Sequence, residues 1–186
     1  MRFERLLPAN SKRRAILKKF YETYIAKFSE EERRYFKWIK ANEPTPIELE
    51  RQKNADFKIK PKISIVVPVY NTPQNFFEEL VQSLEKQTYS NWELCLADGS
   101  PEPITYMQEY PKKDARIKYK VIGENKGISG NTNEALTLAT GDFIGLLDHD
   151  DLLPAFSLYE VVKAINENPE VEFLYSDEDK LEAIDQ

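Results

Sequence analysis

Three carboxylates fall within four positions where an apolar run ends. Residues 141–154 read GDFIGLLDHDDLLP, which places Asp148, Asp150 and Asp151 directly after Leu146 and Leu147. Carboxylates this close repel one another unless a cation or hydrogen-bond donors compensate them, and hard divalent ions take oxygen ligands of this kind. The chemistry on offer is capture of such a cation. The plain alternative is a solvated acidic turn ahead of a helix, where acids also suit the helix dipole.

The elements around the cluster favour a site. Ile144, Leu146 and Leu147 read as a short buried strand and Pro154 as an early position of the next helix, so the three acids fall on the loop between them. In open α/β sheets ligands bind at that edge. The same alternation runs through the chain from Lys62 onward. Strands are predicted at 63–67, 92–97, 117–122, 143–147 and 171–175, and helices at 73–87, 104–110, 129–140 and 154–168. This is the pattern of an α/β fold with a doubly wound, mostly parallel sheet. Right-handed crossovers bring the loops at 68–71, 98–100, 123–127, 148–151 and 176–179 to one rim.

A helical segment precedes the sheet. Asn10 or Ser11 can cap a first helix that carries Ile16, Leu17, Phe20, Tyr21, Tyr24, Ile25 and Phe28 at helical spacing, and Ser29 with Glu32 forms a capping box for a second through about residue 41. Residues 43–61 are polar and proline-bearing, and read as a linker with one short helix at 46–54. Three parts are expected: 1–42, 43–61 and 62–186.

Charge separates the front from the rest. Residues 1–28 hold eight Lys or Arg against two Glu, a balance of +6 within a net of -6, so the other 158 residues stand at -12. From Gly141 onward there are 13 acids and only Lys163 and Lys180 as bases, which argues against nucleic acid as a partner of this half. No apolar run approaches the roughly 20 residues of a membrane span. The opening residues lack the apolar core of a signal peptide, so a cytoplasmic protein is expected. The single cysteine, Cys95, lies in an apolar run and reads as a small buried hydrophobe, and no internal disulfide can form.

With these loops in place the chain strongly resembles family 2 glycosyltransferases, the inverting enzymes of GT-A (Rossmann-like) fold that use nucleotide-sugar donors. The resemblance rests on the ordered set ISIVVPVYN at 63–71, QTYSNWE at 87–93, LADGS at 96–100, ENKGISGNTN at 124–133, GDFIGLLDHDD at 141–151 and YSDEDK at 175–180. The versions at 146–153 and 175–180 are similar to the bacterial branch that builds capsules, O-antigens and related surface polysaccharides.

That resemblance implies a role for each loop. Pro68, Val69 and Tyr70, with Asn71 beside them, would line a nucleobase pocket, and Asp98 would accept a hydrogen bond from the base, expected to be uracil. The competing reading of Asp98 is an Asx-type turn before Gly99. Asn125 and Gly127, with the helix starting near Ser129, would approach the ribose or diphosphate; Asn131 or Asn133 could instead cap or pack. Asp150 would contact a Mg²⁺ or Mn²⁺ ion directly, and Asp148 would serve the ribose or support the metal. His149 between them is expected to be dispensable. The partners implied are a UDP-sugar donor and a saccharide or lipid-linked acceptor.

Two departures qualify the match. Many relatives carry a second Asp where this chain has Gly99. The family's general base also lies well beyond the Asp-X-Asp, so it is expected beyond Gln186, the last residue of the sequence. These residues then read as the donor-binding part of a longer transferase, with Asp177 and Asp179 as weak stand-ins for the base.

Three rival functions come into view. A haloacid-dehalogenase-type phosphatase also places Asp-X-Asp after an apolar strand, with Asp148 as nucleophile and Asp150 as acid/base, but that motif normally occupies the first strand of its domain. A sugar nucleotidyltransferase would want a glycine-rich loop after the first strand, and residues 68–73 supply none. The non-enzymatic reading is a scaffold whose basic segment 1–28, interleaved with Phe3, Leu6, Leu7, Phe20 and Tyr21, rests peripherally on an anionic membrane at the inner face. Its counterpart packs those aromatics on the transferase domain.

Overall fold

The structure is a computed structural model that describes residues 29–179. The expected helix over 10–28, with its membrane-docking reading, lies outside the described residues. So does Gln186, beyond which the general base is expected. The chain divides into two compact units at Thr45/Pro46.

In the first unit, α1 (Glu30–Asn42) begins where the capping box predicts: Glu32 N–H donates to Ser29 Oγ, and the Glu32 carboxylate accepts from the Ser29 amide. The helix stops at Glu43, where the backbone turns extended because Pro44 follows.

The second unit holds a four-stranded parallel sheet, β1 (Ile63–Val69), β2 (Trp92–Asp98), β3 (Ile117–Val121) and β4 (Phe143–Leu146), in the order β3-β2-β1-β4. Alternation along the central strands sends side chains to two helical layers. Ile63, Ile65, Val67, Leu94, Leu96 and Ile117 pack with α3 (Gln74–Glu85) and α6 (Ser157–Glu167) through Phe77, Leu80, Leu84, Leu158 and Val162. Val66, Cys95 and Ala97 pack with Ala135 of α5 (Gly127–Leu136) on the other face. Burial, with the nearby Glu93 charge, pushes the Cys95 thiol up to about 11, the inert cysteine that its sequence context implies.

Several boundaries differ from the sequence expectation. Of the stretch read as a linker, residues 46–61 belong to the second unit. There α2 (Pro46–Lys53) is followed by Phe57, which sits 5.2 Å from the Tyr159 ring, and by Pro61, whose carbonyl accepts from Tyr89. The helix expected at 104–110 is a 3₁₀ turn, Met107–Glu109, running into a short α4 (Tyr110–Lys113), with Ile104 ahead of it and its amide donating to Asp98. Helix α6 begins at Ser157 rather than near Pro154. Gln87 Nε2 donates to the carbonyls of Leu153 and Pro154 while its Oε1 accepts from the Leu158 amide, and the Ser157 amide reaches Pro154 O at 2.9 Å, so a turn bridged by Gln87 precedes the helix.

The strand expected at 171–175 does not form. Phe173 is 80% exposed and Tyr175 88%, and no described strand pairs with this segment. An extended β-branched and aromatic run is a strand only when a neighbouring backbone satisfies its N–H and C=O groups. The sheet instead ends at β4.

Candidate functional site

The order β3-β2-β1-β4 puts the topological switch between β1 and β4, since the chain moves outward from β1 to β3 and then crosses back to lay β4 on the other side. Pairing between β1 and β4 ends at Val66 and Leu146, while β1 continues beside β2 to Val69 and Asp98. Past Val66 the two strands part. Pro68, which has no N–H to give a ladder, lies in the diverging stretch.

A cleft of about 280 Å³ opens there, lined by Pro68, Val69, Tyr70, Asn125, Gly127, Ile128, Asn131, Asp148, His149 and Asp150. Seven of the residues singled out in the sequence are thus brought together from three loops. Of the rest, Asn71 sits at the exit of β1 with φ +49°, a left-handed conformation that asparagine tolerates, and its amide donates to Ser100 Oγ at 2.8 Å. Asp177 and Asp179 lie in the exposed segment after α6 and do not line the cleft. Ile128, Asn131 and His149 complete the lining. The signal for Asn131 was its spacing: four residues after Gly127, it shares that residue's helix face.

Asp98 stands apart. Its carboxylate is fully buried and accepts from the Ser100 amide at 2.9 Å, the Ile104 amide at 3.0 Å and the Tyr119 hydroxyl. The Ser100 bond is the Asx-type turn. Burial and the adjacent Asp98 carboxylate both push the Tyr119 phenol upward, which keeps it a proton donor to Asp98. Here Asp98 holds the turn beyond β2 in shape.

The loop between β3 and α5 is ordered by glycine geometry and asparagine side chains. Gly127 has φ +72° and Gly123 φ +82°, and Asn125 Oδ1 accepts from the Gly127 amide at 2.9 Å. That bond starts α5 at Gly127, two residues earlier than expected, and points the first turn of the helix into the cleft. Free N–H groups at such an end attract anions.

The acidic loop is fixed at both ends. Leu147 N–H reaches Val66 O at 3.3 Å, and downstream Thr88 N–H reaches Ala155 O at 2.8 Å. Asp148 and Asp150 line the cleft, and His149 Nδ1 lies 3.9 Å from Asp150 Oδ1, too far for a hydrogen bond. Burial, then the charges of Asp148, Asp150 and Glu178, raises the Asp151 carboxyl above its usual range. No Lys or Arg among the described residues forms an ion pair with Asp148, Asp150 or Asp151. Among the described residues no three His, Cys, Asp or Glu side chains gather to enclose an ion. Two carboxylates opening on one cleft fit a hard divalent cation whose remaining ligands come from a bound anion and water.

Comparison with known proteins bears on the family and the fold. The family model described as glycosyl transferase family 2 matches residues 64–176. The O-antigen biosynthesis protein RfbC of Myxococcus xanthus is 32% identical over 152 residues, 80% of this chain and 12% of its own length. WfgD of Escherichia coli, a UDP-Glc:alpha-D-GlcNAc-diphosphoundecaprenol beta-1,3-glucosyltransferase, is 34% identical over 113 residues, 61% of this chain and 44% of its own. The chain thus spans less than half the length of these curated relatives. Among solved structures, TarS of S. aureus in complex with UDP superposes with a TM-score of 0.53 at 28% identity, covering 58% of this chain and 33% of the other. The sheet is that of a GT-A fold, and the chain belongs to glycosyl transferase family 2.

Proposed function

We propose that residues 62–186 form the nucleotide-sugar-binding part of an inverting glycosyltransferase that takes a UDP-sugar and glycosylates a saccharide or lipid-linked acceptor in bacterial surface polysaccharide synthesis. The observation that carries this reading is the cleft at the β1/β4 divergence, which joins an aromatic edge, a helix N-terminus and two carboxylates. WfgD and the UDP complex of TarS support the ligand class.

In this reading Pro68, Val69 and Tyr70 line the nucleobase pocket, with Asn71 fixing the bend behind them. Asn125, Gly127 and the first amides of α5 face the diphosphate. Asp148 and Asp150 would hold Mg²⁺ or Mn²⁺, Asp150 directly. When bound, that ion offsets charge on the departing nucleoside diphosphate, so the leaving group needs no proton. Transfer forms a bond from the acceptor oxygen to the anomeric carbon as the bond to the diphosphate breaks. The acceptor hydroxyl loses its proton to a general base. Neither Asp177 nor Asp179 lines the cleft, so that step falls to neither of them. Asp98 is fully buried and already accepts from three internal donors, so in this reading it braces the pocket wall. We set this activity in the cytoplasm, with segment 1–28 as a peripheral contact with the inner face of the membrane.

The phosphatase reading has less support, since the strand before Asp148 is the last of the four rather than the first. Titrating UDP into labelled protein tests the proposal. Amide resonances of residues 68–71, 125–128 and 148–151 should move together, and GDP should move them less. Shifts confined to other residues would contradict it.

A further inference from the structure

Asn131 is a buried polar member of the cleft lining. It is 2% exposed, yet it sits on α5 one turn in from Gly127 and borders the cleft. Both ends of its amide are committed to the loop that precedes the helix. Its Oδ1 accepts from the Lys126 amide at 3.0 Å, and its Nδ2 donates to Asn125 Oδ1 at 3.1 Å, the oxygen that also accepts from Gly127.

The space for this amide comes from another strand. A methyl group placed on Gly99 would lie 2.7 Å from Asn131 Nδ2 and 3.1 Å from its Oδ1, closer than nonbonded atoms tolerate. Gly99 is in turn fixed to β1, because its amide donates to Val69 O at 2.9 Å. The missing side chain at 99 and the carboxamide at 131 are complementary in shape. A side chain at 99 would require the Asn131 amide to shift from the position in which it bonds Asn125 and Lys126.

We propose that Asn131, seated in the space left open by Gly99, is a positioning residue. It ties the loop at Asn125 and Gly127 to the wall made by the end of β1 and the turn after β2, and so sets the phosphate-facing side of the cleft relative to the base-facing side. The inference rests on the donor-site reading for its ligand but not for its geometry, and the two can fail separately.

Three variants and two readouts test it: Asn131→Ala, Gly99→Ala and the double substitution, followed by amide hydrogen exchange and by calorimetry with UDP and uridine. Asn131→Ala should speed exchange of the Lys126 amide, whose acceptor it removes, while thermal unfolding stays cooperative. It should weaken UDP about tenfold, the usual worth of one or two lost hydrogen bonds, and uridine less, because the loop faces the diphosphate. Gly99→Ala should do the same by displacing the amide. In the double variant the methyl group has room, so the two losses should not add. If a variant folds poorly, Asn131→Ser supplies the comparison: it adds no buried charge and keeps a short polar group in the same space, and should fall between wild type and Asn131→Ala. Unchanged Lys126 exchange in Asn131→Ala, or strictly additive losses, overturns the positioning role. Faster exchange in a protein that binds no UDP upholds the positioning role and overturns the donor-site reading.

Discussion

The carboxylate of Glu93 on β2 accepts from the Thr140 amide at 2.6 Å, so the turn that launches β4 is held by a charge buried two strands away. Glu93 is 1% exposed and also accepts from Ser64 Oγ, Thr140 Oγ1 and the ammonium groups of Lys62 and Lys118. Burial alone would raise this carboxyl. The bonds from Lys62, Thr140, Ser64 and Lys118 together outweigh burial and hold it well below the usual glutamate range.

Stability should therefore fall in acid for a specific reason. A folded value below the unfolded one contributes stability that is complete above the ordinary value of 4.5 and is lost as pH falls from there toward the folded value. Glu93→Gln should cost about 2–4 kcal/mol at pH 7 by removing a buried partner of two ammonium groups. Urea denaturation across pH should show the gap between variant and wild type narrowing below about pH 4.5. A gap that stays constant would mean the charge is not what matters.

Gly127 is placed in the cleft by its backbone. Nothing lies within 4 Å of a Cβ added there, so Gly127→Ala meets no clash and pays only for φ +72°. The expected loss is about 1–2 kcal/mol of stability together with weaker UDP binding. Gly123→Ala, with a similar φ but outside the cleft lining, should lose stability alone. Equal effects on UDP from both would count against the loop assignment.

Asp98 separates bracing from base recognition. Asp98→Asn turns an amide group toward donors that need an acceptor, and should lower stability by about 1–3 kcal/mol. If the turn it holds borders the base, UDP should weaken about tenfold and inorganic pyrophosphate hardly at all. Tyr119→Phe, which removes one of the three donors, should show a smaller version of both effects. Equal weakening of UDP and pyrophosphate would detach this turn from the base pocket.

Much of this was legible in the chain. The apolar runs of β1 and β2 are buried on both faces, and such strands announce themselves without alternation. The loops that gather at the switch point follow from strand order. What escaped were properties set by partners distant in sequence. Residues 171–175 have strand composition but no described strand beside them, and composition does not reveal a missing neighbour. Asp98 in the sequence is an acceptor after a strand, and only the fold shows that Ser100, Ile104 and Tyr119 occupy it. Gly99 and Asn131, 32 positions apart, read as a departure and an indifferent helix residue until their side-chain spaces meet. Gln87 gave no hint that it would delay α6, because its partners lie more than 60 residues away.

In the proposed function Asp148 and Asp150 present a divalent cation to a nucleoside diphosphate bound at the β1/β4 divergence. Calorimetry of UDP binding in Mn²⁺ and in EDTA, for wild type and Asp150→Ala, tests it most directly. Wild type should bind UDP in Mn²⁺ and lose at least tenfold in EDTA, the scale of a charge-assisted contact of roughly 1.5–3 kcal/mol. Asp150→Ala should bind equally weakly in both. Undiminished UDP binding by wild type in EDTA, or full Mn²⁺ dependence retained in Asp150→Ala, would contradict the account.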